Sequence, residues 1–201
     1  MQAATPTPRE PVVFAAVLAA GRSQRFGRSK LLESVGGKPL VRRAVDIART
    51  VCGDRSILVA GYESAAVTAA AGDAAQFVIV NDRHAEGMGG SIALAARAVR
   101  HAADALLLLF ADQPLVTVRH AEALIGAWSG AQDEIVATAF SGTAGPPVLF
   151  ARGTFDALGA LRGDTGAKHV LANPQFDLRT VRFEDAAIDI DTPADLERLR
   201  E

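Results

Sequence analysis

The chain has 201 residues, 49% hydrophobic and 22% charged, with a formal net charge of −2. That apolar content excludes a disordered chain, and 18 Gly with 9 Pro exclude a fibrous one. A slightly acidic balance supplies no field for nucleic acid or a membrane surface, so neither is expected as a partner.

Residues 1–11, MQAATPTPREP, have no basic segment leading into an apolar one and read as a disordered tail before one domain spanning 12–201. No apolar run reaches the ~18 residues of a membrane span, and the single Cys52 has no internal disulfide partner. A cytoplasmic protein is expected. Strands are predicted at Val12–Leu18, Ser56–Ala60, Gln76–Val80 and Ala105–Phe110, each short and nearly unbroken, as in strands covered on both faces. Helical patterns fall between them, at Leu40–Val51, Ala65–Ala71 and Ser91–His101. In the last, Ile92, Ala95, Ala96 and Val99 share one face. The second half is less regular. A helix is expected at Thr117–Ala127, strands at Ile135–Phe140 and from Val148–Phe150, short helices at Thr154–Leu161 and Ala167–Ala172, and a strand at Leu178–Phe183. Thr192, Pro193 and Asp195 then mark the start of a closing helix. The alternation predicts an α/β fold: a single Rossmann-like domain with a mostly parallel central sheet flanked by helices on both faces.

The first four strands run into Gly21, Gly61, Asn81 and Asp112. In an open parallel sheet, ligands bind beyond the carboxyl ends of the strands, so these residues converge on one edge. The segment Leu18–Lys30 contains two glycines and places Arg22, Arg25, Arg28 and Lys30 within nine residues. Cations that close repel unless an anion sits among them, and a turning backbone with fixed cations holds phosphates. The spacing fits neither a P-loop nor a dinucleotide turn, and a solvated basic loop explains the same residues equally well. Asp112, leaving an apolar run just before Gln113-Pro114, suits a hydrated Mg²⁺ with its phosphates, or a simple turn. Gly87-Met88-Gly89-Gly90-Ser91 is either a flexible loop with Ser91 as helix cap or a place where a ligand nears the backbone. Gly163–Lys168 divides the same way, between a turn capped by Asp164 or Thr165 and an anion-facing loop. Asp189 and Asp191 flank Ile190 and share a side if extended, inviting a cation or simply facing solvent. The four histidines have no metal-ligand spacing, although His84 lies between Asn81 and the Gly-rich loop.

Taken in order, LAAGRSQRFGRSKLL, NDRHAEGMGGSI, FADQP, GPPVLF, GDTGAK and DIDTPADL resemble the MobA-like nucleotidyltransferases. Within them, the set is most similar to the molybdenum cofactor cytidylyltransferases of MocA type, from about Val12 to the C-terminus. The resemblance implies transfer of CMP from CTP to the terminal phosphate of molybdopterin, with Mg²⁺ and release of pyrophosphate. It also implies a molybdenum hydroxylase or its accessory protein as partner. Carried over by motif, Arg25 and Lys30 hold the nucleotide's phosphates and Asp112 binds Mg²⁺, the three forming the catalytic set. Leu18, Ala19, Ala20, Gly21 and Arg22 line the nucleotide, and Asn81, Gly87, Met88, Gly89 and Ser91 border its base and ribose. Guanylyltransferase relatives tend to have Gly where this chain has Ala20. Gln113, Pro114, Gly145, Pro147, Gly163, Asp164, Gly166 and Lys168 fall on the acceptor side, and Asp189 or Asp191 is a second metal ligand. The chain departs from the family pattern at Gly90, Pro146 and Lys168, all toward the acceptor end. Three other readings stand beside this one. The acceptor could be a different phosphorylated small molecule, or the protein a non-catalytic cofactor-binding maturation partner of a molybdenum hydroxylase. The third is an NAD(P)-linked oxidoreductase, against which the missing G-x-G-x-x-G counts.

Overall fold

The computed structural model describes residues 9–199. Nine strands follow in chain order among these residues: β1 (Val13–Ala19), β2 (Ser34–Val35), β3 (Lys38–Pro39), β4 (Ser56–Ala60), β5 (Phe77–Val80), β6 (Ala105–Phe110), β7 (Glu134–Phe140), β8 (Thr143–Ala151) and β9 (Asp177–Arg182). The helices are α1 (Leu40–Cys52), α2 (Ser64–Ala71), α3 (Met88–Val99), α4 (Val118–Ala127), α5 (Phe155–Gly159), α6 (Lys168–Leu171) and α7 (Pro193–Arg198).

Seven strands form one sheet in the order β5-β4-β1-β6-β8-β7-β9. Every neighbouring pair is parallel except those made by β8, which runs against both β6 and β7. From β1 the chain winds outward through β4 to β5, then crosses back by α3 to β6 on the other side of β1. The order therefore reverses between β1 and β6, where Leu18 lies opposite Phe110. A crevice opens at such a switch point because the connections leave in opposite directions.

Side chains alternate across the strands, and both faces are covered. Ala15 and Val17 pack with Ala44 and Ala48 of α1, Val67 of α2 and Leu124 of α4. Ala16 and Leu18 face the other way, onto Ile92 and Ala96 of α3, Leu158 of α5 and Val170 of α6. A smaller cluster joins Phe26, Val35, Leu40, Ile190 and Leu196 at one end of the sheet. It pins the basic loop after β1 to the segment before α7, whose Thr192 and Asp195 form a reciprocal capping box with Pro193 in the first turn.

Several elements differ from expectation. The β2–β3 ribbon turns through Gly36-Gly37, both at positive φ (60° and 78°), and went unforeseen because its strands are only two residues long. β8 starts five residues before the expected Val148, and it crosses Pro146 and Pro147 because the pairing with β7 is irregular there. Ala137 pairs with Val148 and the adjacent Thr138 with Gly145, so both prolines escape the ladder. α3 starts at Met88, so Ser91 is no N-cap; it lies inside the helix, with its hydroxyl accepting from Asn81 Nδ2 at 2.9 Å. The expected helix at Thr154–Leu161 is a 3-10 turn at Arg152–Thr154 followed by α5. Of the tail expected at residues 1–11, residues 1–8 lie outside the described residues. Arg9 is anchored, its guanidinium meeting both Asp104 oxygens at 2.8 Å.

Candidate active site

The cleft at the switch point holds about 440 Å³. One wall is the loop leaving β1, from Leu18 to Arg25, and the opposite wall is His84, Ala85, Gly87, Met88 and Ser91. Lys30, Asp112, Asp164 and Asp191 reach it from four separate loops, and Ser23, Gln24, Leu31 and Phe110 complete the lining.

The basic loop is shaped by its own backbone. Ser23 has φ +50°, its carbonyl accepts from the N–H groups of Phe26 and Gly27, and its hydroxyl accepts from Lys30 N–H at 3.2 Å. Buried Phe26 anchors the turn, leaving Arg25 and Arg28 outside and Lys30 inward, 11% exposed. The Lys30 ammonium contacts Asp112 at 2.8 Å and Asp191 at 3.0 Å, while Arg25 contacts the second Asp191 oxygen at 2.7 Å. Burial by itself lowers the Lys30 pKa, but the two carboxylates outweigh it and hold the ammonium charged, above its usual range. Asp112 also uses its main-chain carbonyl, which accepts from Ile190 N–H at 3.0 Å and sets Asp189 and Asp191 beside it. That segment is extended without belonging to the sheet. Asp189 is exposed as a residue, yet its carboxyl is raised to about 6. Partial desolvation is the largest cause, followed by the charges of Asp112 and Asp191 and opposed by Lys30.

The expected residues do not all reach the cleft. Leu18, Ala19, Ala20, Gly21, Arg22, Arg25, Lys30, Gly87, Met88, Ser91, Asp112, Asp164 and Asp191 line it. Asn81 does not: it is buried, its amide donating to Ser91 Oγ and its oxygen accepting from Arg83 N–H. Gly89 is a packing residue whose N–H donates to Gly163 O at 2.9 Å, and a Cβ there would fall 2.8 Å from Thr165 O. Gly87, at φ +114°, lies so close to Gly163 that a Cβ would fall 2.3 Å from its carbonyl. Those glycines seat the 162–165 loop on the start of α3, and of that loop Asp164 is the residue at the cleft. Gln113 and Pro114 sit behind the wall. Gln113 Nε2 donates to Ala186 O at 2.8 Å and Pro146 O at 3.2 Å, and Pro114 O accepts from Arg43. Gly145 and Pro147 are buried in β8, Gly166 is half-buried, and Lys168 is exposed at the first turn of α6. None of these lines the cleft. Ser23 and His84 were not singled out as site residues in the sequence, because a hydroxyl bonding its own loop and a lone histidine leave no spacing signature.

Asp112 and Asp191 present hard oxygen donors on either side of the Lys30 ammonium, the kind of donor Mg²⁺ takes when substrate phosphates supply its remaining ligands. Two carboxylates fit such an ion. Among the described residues no group of three His, Cys, Asp or Glu side chains is arranged to hold a metal, so Asp189 does not complete a three-carboxylate set.

Comparison with known proteins agrees with this geometry. A family model described as the MobA-like NTP transferase domain matches residues 15–180. Purine catabolism protein PucB of Bacillus subtilis (strain 168) is 29% identical over 203 residues, covering 96% of this chain and 98% of PucB. Nicotine blue oxidoreductase of Paenarthrobacter nicotinovorans is 29% identical, covering 94% of this chain and 97% of its own. The crystal structure of Rv0371c from Mycobacterium tuberculosis H37Rv in complex with manganese superposes with a TM-score of 0.77 at 28% identity, covering 94% of this chain and 97% of that one. With the family model spanning the sheet from β1 to β9 and a cleft lined by Arg22, Arg25 and Lys30 at its switch point, the chain belongs to the MobA-like NTP transferase family and is a nucleotidyltransferase.

Proposed function

We propose that the protein transfers CMP from CTP to the terminal phosphate of molybdopterin in a Mg²⁺-dependent reaction. The observation that carries this reading is the Lys30 ammonium held between Asp112 and Asp191, beside the Gly21–Arg25 loop. A phosphate oxygen of the acceptor attacks the α-phosphorus of CTP, the bond to the bridging oxygen breaks, and pyrophosphate leaves with that electron pair. Such a transfer needs charge neutralisation and in-line placement rather than a protein nucleophile. Arg22 and Arg25, on the open wall, meet the β- and γ-phosphates. Lys30 follows the charge that develops around the α-phosphate. Asp112 and Asp191 would hold the divalent ion, which when bound neutralises phosphate oxygens; the manganese complex of Rv0371c favours the same ion class here. The acceptor enters from the Asp164 side, and a molybdenum hydroxylase or its accessory protein receives the product.

The test is pyrophosphate release by purified protein with Mg²⁺ and molybdopterin, comparing CTP, GTP and ATP. Release with CTP alone is the expected result; binding of CTP without release discards this acceptor and leaves another phosphorylated one or a carrier role. The name of one relative, an oxidoreductase, favours a second reading. Oxidation of NADH or NADPH by the same protein, with an added quinoid dye reduced in step as hydride acceptor, would establish it in place of the first.

A further inference from the structure

The wall opposite the basic loop is poor in polar side chains. Ala85, Gly87 and Met88 have none to hydrogen-bond with, and the Ser91 hydroxyl is turned onto buried Asn81. His84 is the exception, and its position is rigidly defined. Its main-chain N–H donates to Asn81 O at 3.1 Å, its carbonyl accepts from Gly87 N–H, and its ring packs at 6.2 Å from that of Tyr62, over which the Arg22 guanidinium lies at 6.0 Å. Gly61 lets this happen. A Cβ on Gly61 would fall 2.6 Å from His84 Cβ and 2.8 Å from Ala20 Cβ, so the missing side chain brings His84 and Ala20 together on one spot of the cleft.

The ring's two nitrogens are not equivalent. Nδ1 is buried and has no partner. A buried N–H without an acceptor is rarer and costlier than a buried lone pair, so the proton belongs on Nε2. With Nδ1 buried, Nε2–H is the polar group the ring offers the cleft. We propose that His84 is a specificity-determining residue that donates Nε2–H to an exocyclic carbonyl oxygen of the nucleobase, lodged against Ala20. This rests on the reading of the cleft as a nucleotide site. The donor selects bases that carry a carbonyl, such as cytosine through its O2, and disfavours adenine, which has none.

The test is calorimetric binding of nucleotides without acceptor, in the presence of Mg²⁺. Wild-type protein binds CTP about tenfold more tightly than ATP, and more tightly than 2-thiocytidine triphosphate, whose sulfur is a poor acceptor, by a similar factor. In His84→Phe, which keeps a planar ring and removes the donor, CTP falls about tenfold, ATP is unchanged, and the penalty for the thio analogue disappears. His84→Gln, which keeps an N–H near the Nε2 position, retains part of the preference. Thermal melts confirm that each variant is folded. Should His84→Phe not fold, the wild-type comparison of CTP with its thio analogue still decides, and equal affinities overturn the assignment. An unchanged CTP-to-ATP ratio in folded His84→Phe, or equal loss for both nucleotides, also overturns it. Wild-type protein that binds no nucleotide at all sinks the nucleotide reading itself and this inference with it.

Discussion

Lys30 ties two carboxylates together in the cleft, and the proposed transfer uses the same ammonium. Its ammonium is largely buried and meets two carboxylates that are themselves 26% and 37% exposed. Partly solvated partners screen such a pair and Asp191 keeps Arg25, so Lys30→Met should cost only roughly 1–2 kcal/mol of stability although it leaves Asp112 without its ammonium. The effect on turnover is larger. Lys30→Met and Asp112→Asn should each lower pyrophosphate release by about hundredfold or more, since the first removes positive charge aimed at the transferring phosphate and the second a carboxylate that would hold the divalent ion. Release assays paired with urea melts separate the two effects; wild-type turnover in either folded variant overturns the assignment. Cys52 is the contrast, a buried thiol pushed up to about 11 by desolvation and remote from this chemistry.

At the scale of elements, the site depends on a small core of its own. Phe26 and Ile190 meet in the cluster that joins the basic loop to the segment bearing Asp191. Phe26→Ala should destabilise by about 3 kcal/mol and reduce turnover well beyond what the stability loss explains, because Lys30 and Asp191 lose their shared support. Denaturant melts and release assays on folded protein check this. The same elements show what could be read from residue order. Unbroken apolar runs such as Ala105–Phe110 and Ser56–Ala60 located β6 and β4 to the residue, and Thr192-Pro193 with Asp195 located α7, because local chemistry dictates those features. Ser91 misled because its hydroxyl has two possible uses, and the tertiary contact to Asn81 decided between them. Gly87 and Gly89 leave two readings open in the sequence, a flexible loop before a cap or room for a ligand, and Gly87 does line the cleft. The body they make room for is the 162–165 loop, a contact between distant parts of the chain that no local pattern encodes.

The whole molecule adds a pH dependence carried by His120 of α4. It is buried, its Nε2 meets Thr138 Oγ1 at 2.8 Å, its ring stacks on Phe183 at 4.4 Å, and desolvation lowers its pKa below the ordinary 6.5. Above about 6.5 folded and unfolded chains both carry it neutral, and its packing contributes fully. Below that value the unfolded chain takes up the proton first, so stability falls as pH drops toward the lowered folded value. The slope from this one group is at most about 1.4 kcal/mol per pH unit. Between pH 7.5 and 5.5, wild type should therefore lose more stability than His120→Gln, and urea melts at three pH values compare them. Parallel slopes would assign the acid sensitivity elsewhere. The sheet's mostly parallel order, its two covered faces and a cleft at the carboxyl ends of its strands were legible from strand and helix alternation. The residues expected at the acceptor side were less so: Gly145 and Pro147, though in a matching motif, and Lys168, where the chain departs from the family pattern, all lie away from the cleft.

The contact between Lys30 and Asp191 joins residues 161 positions apart. The residues that form β1, β4, β5 and β6 all precede Ala111, so those four strands can pair while the carboxylate opposite Lys30 is still far away. Contacts of such separation close late, because the intervening chain must first surrender its freedom. On the proposed reading of the cleft, competence to bind a nucleotide would therefore come at the end of folding rather than with the sheet.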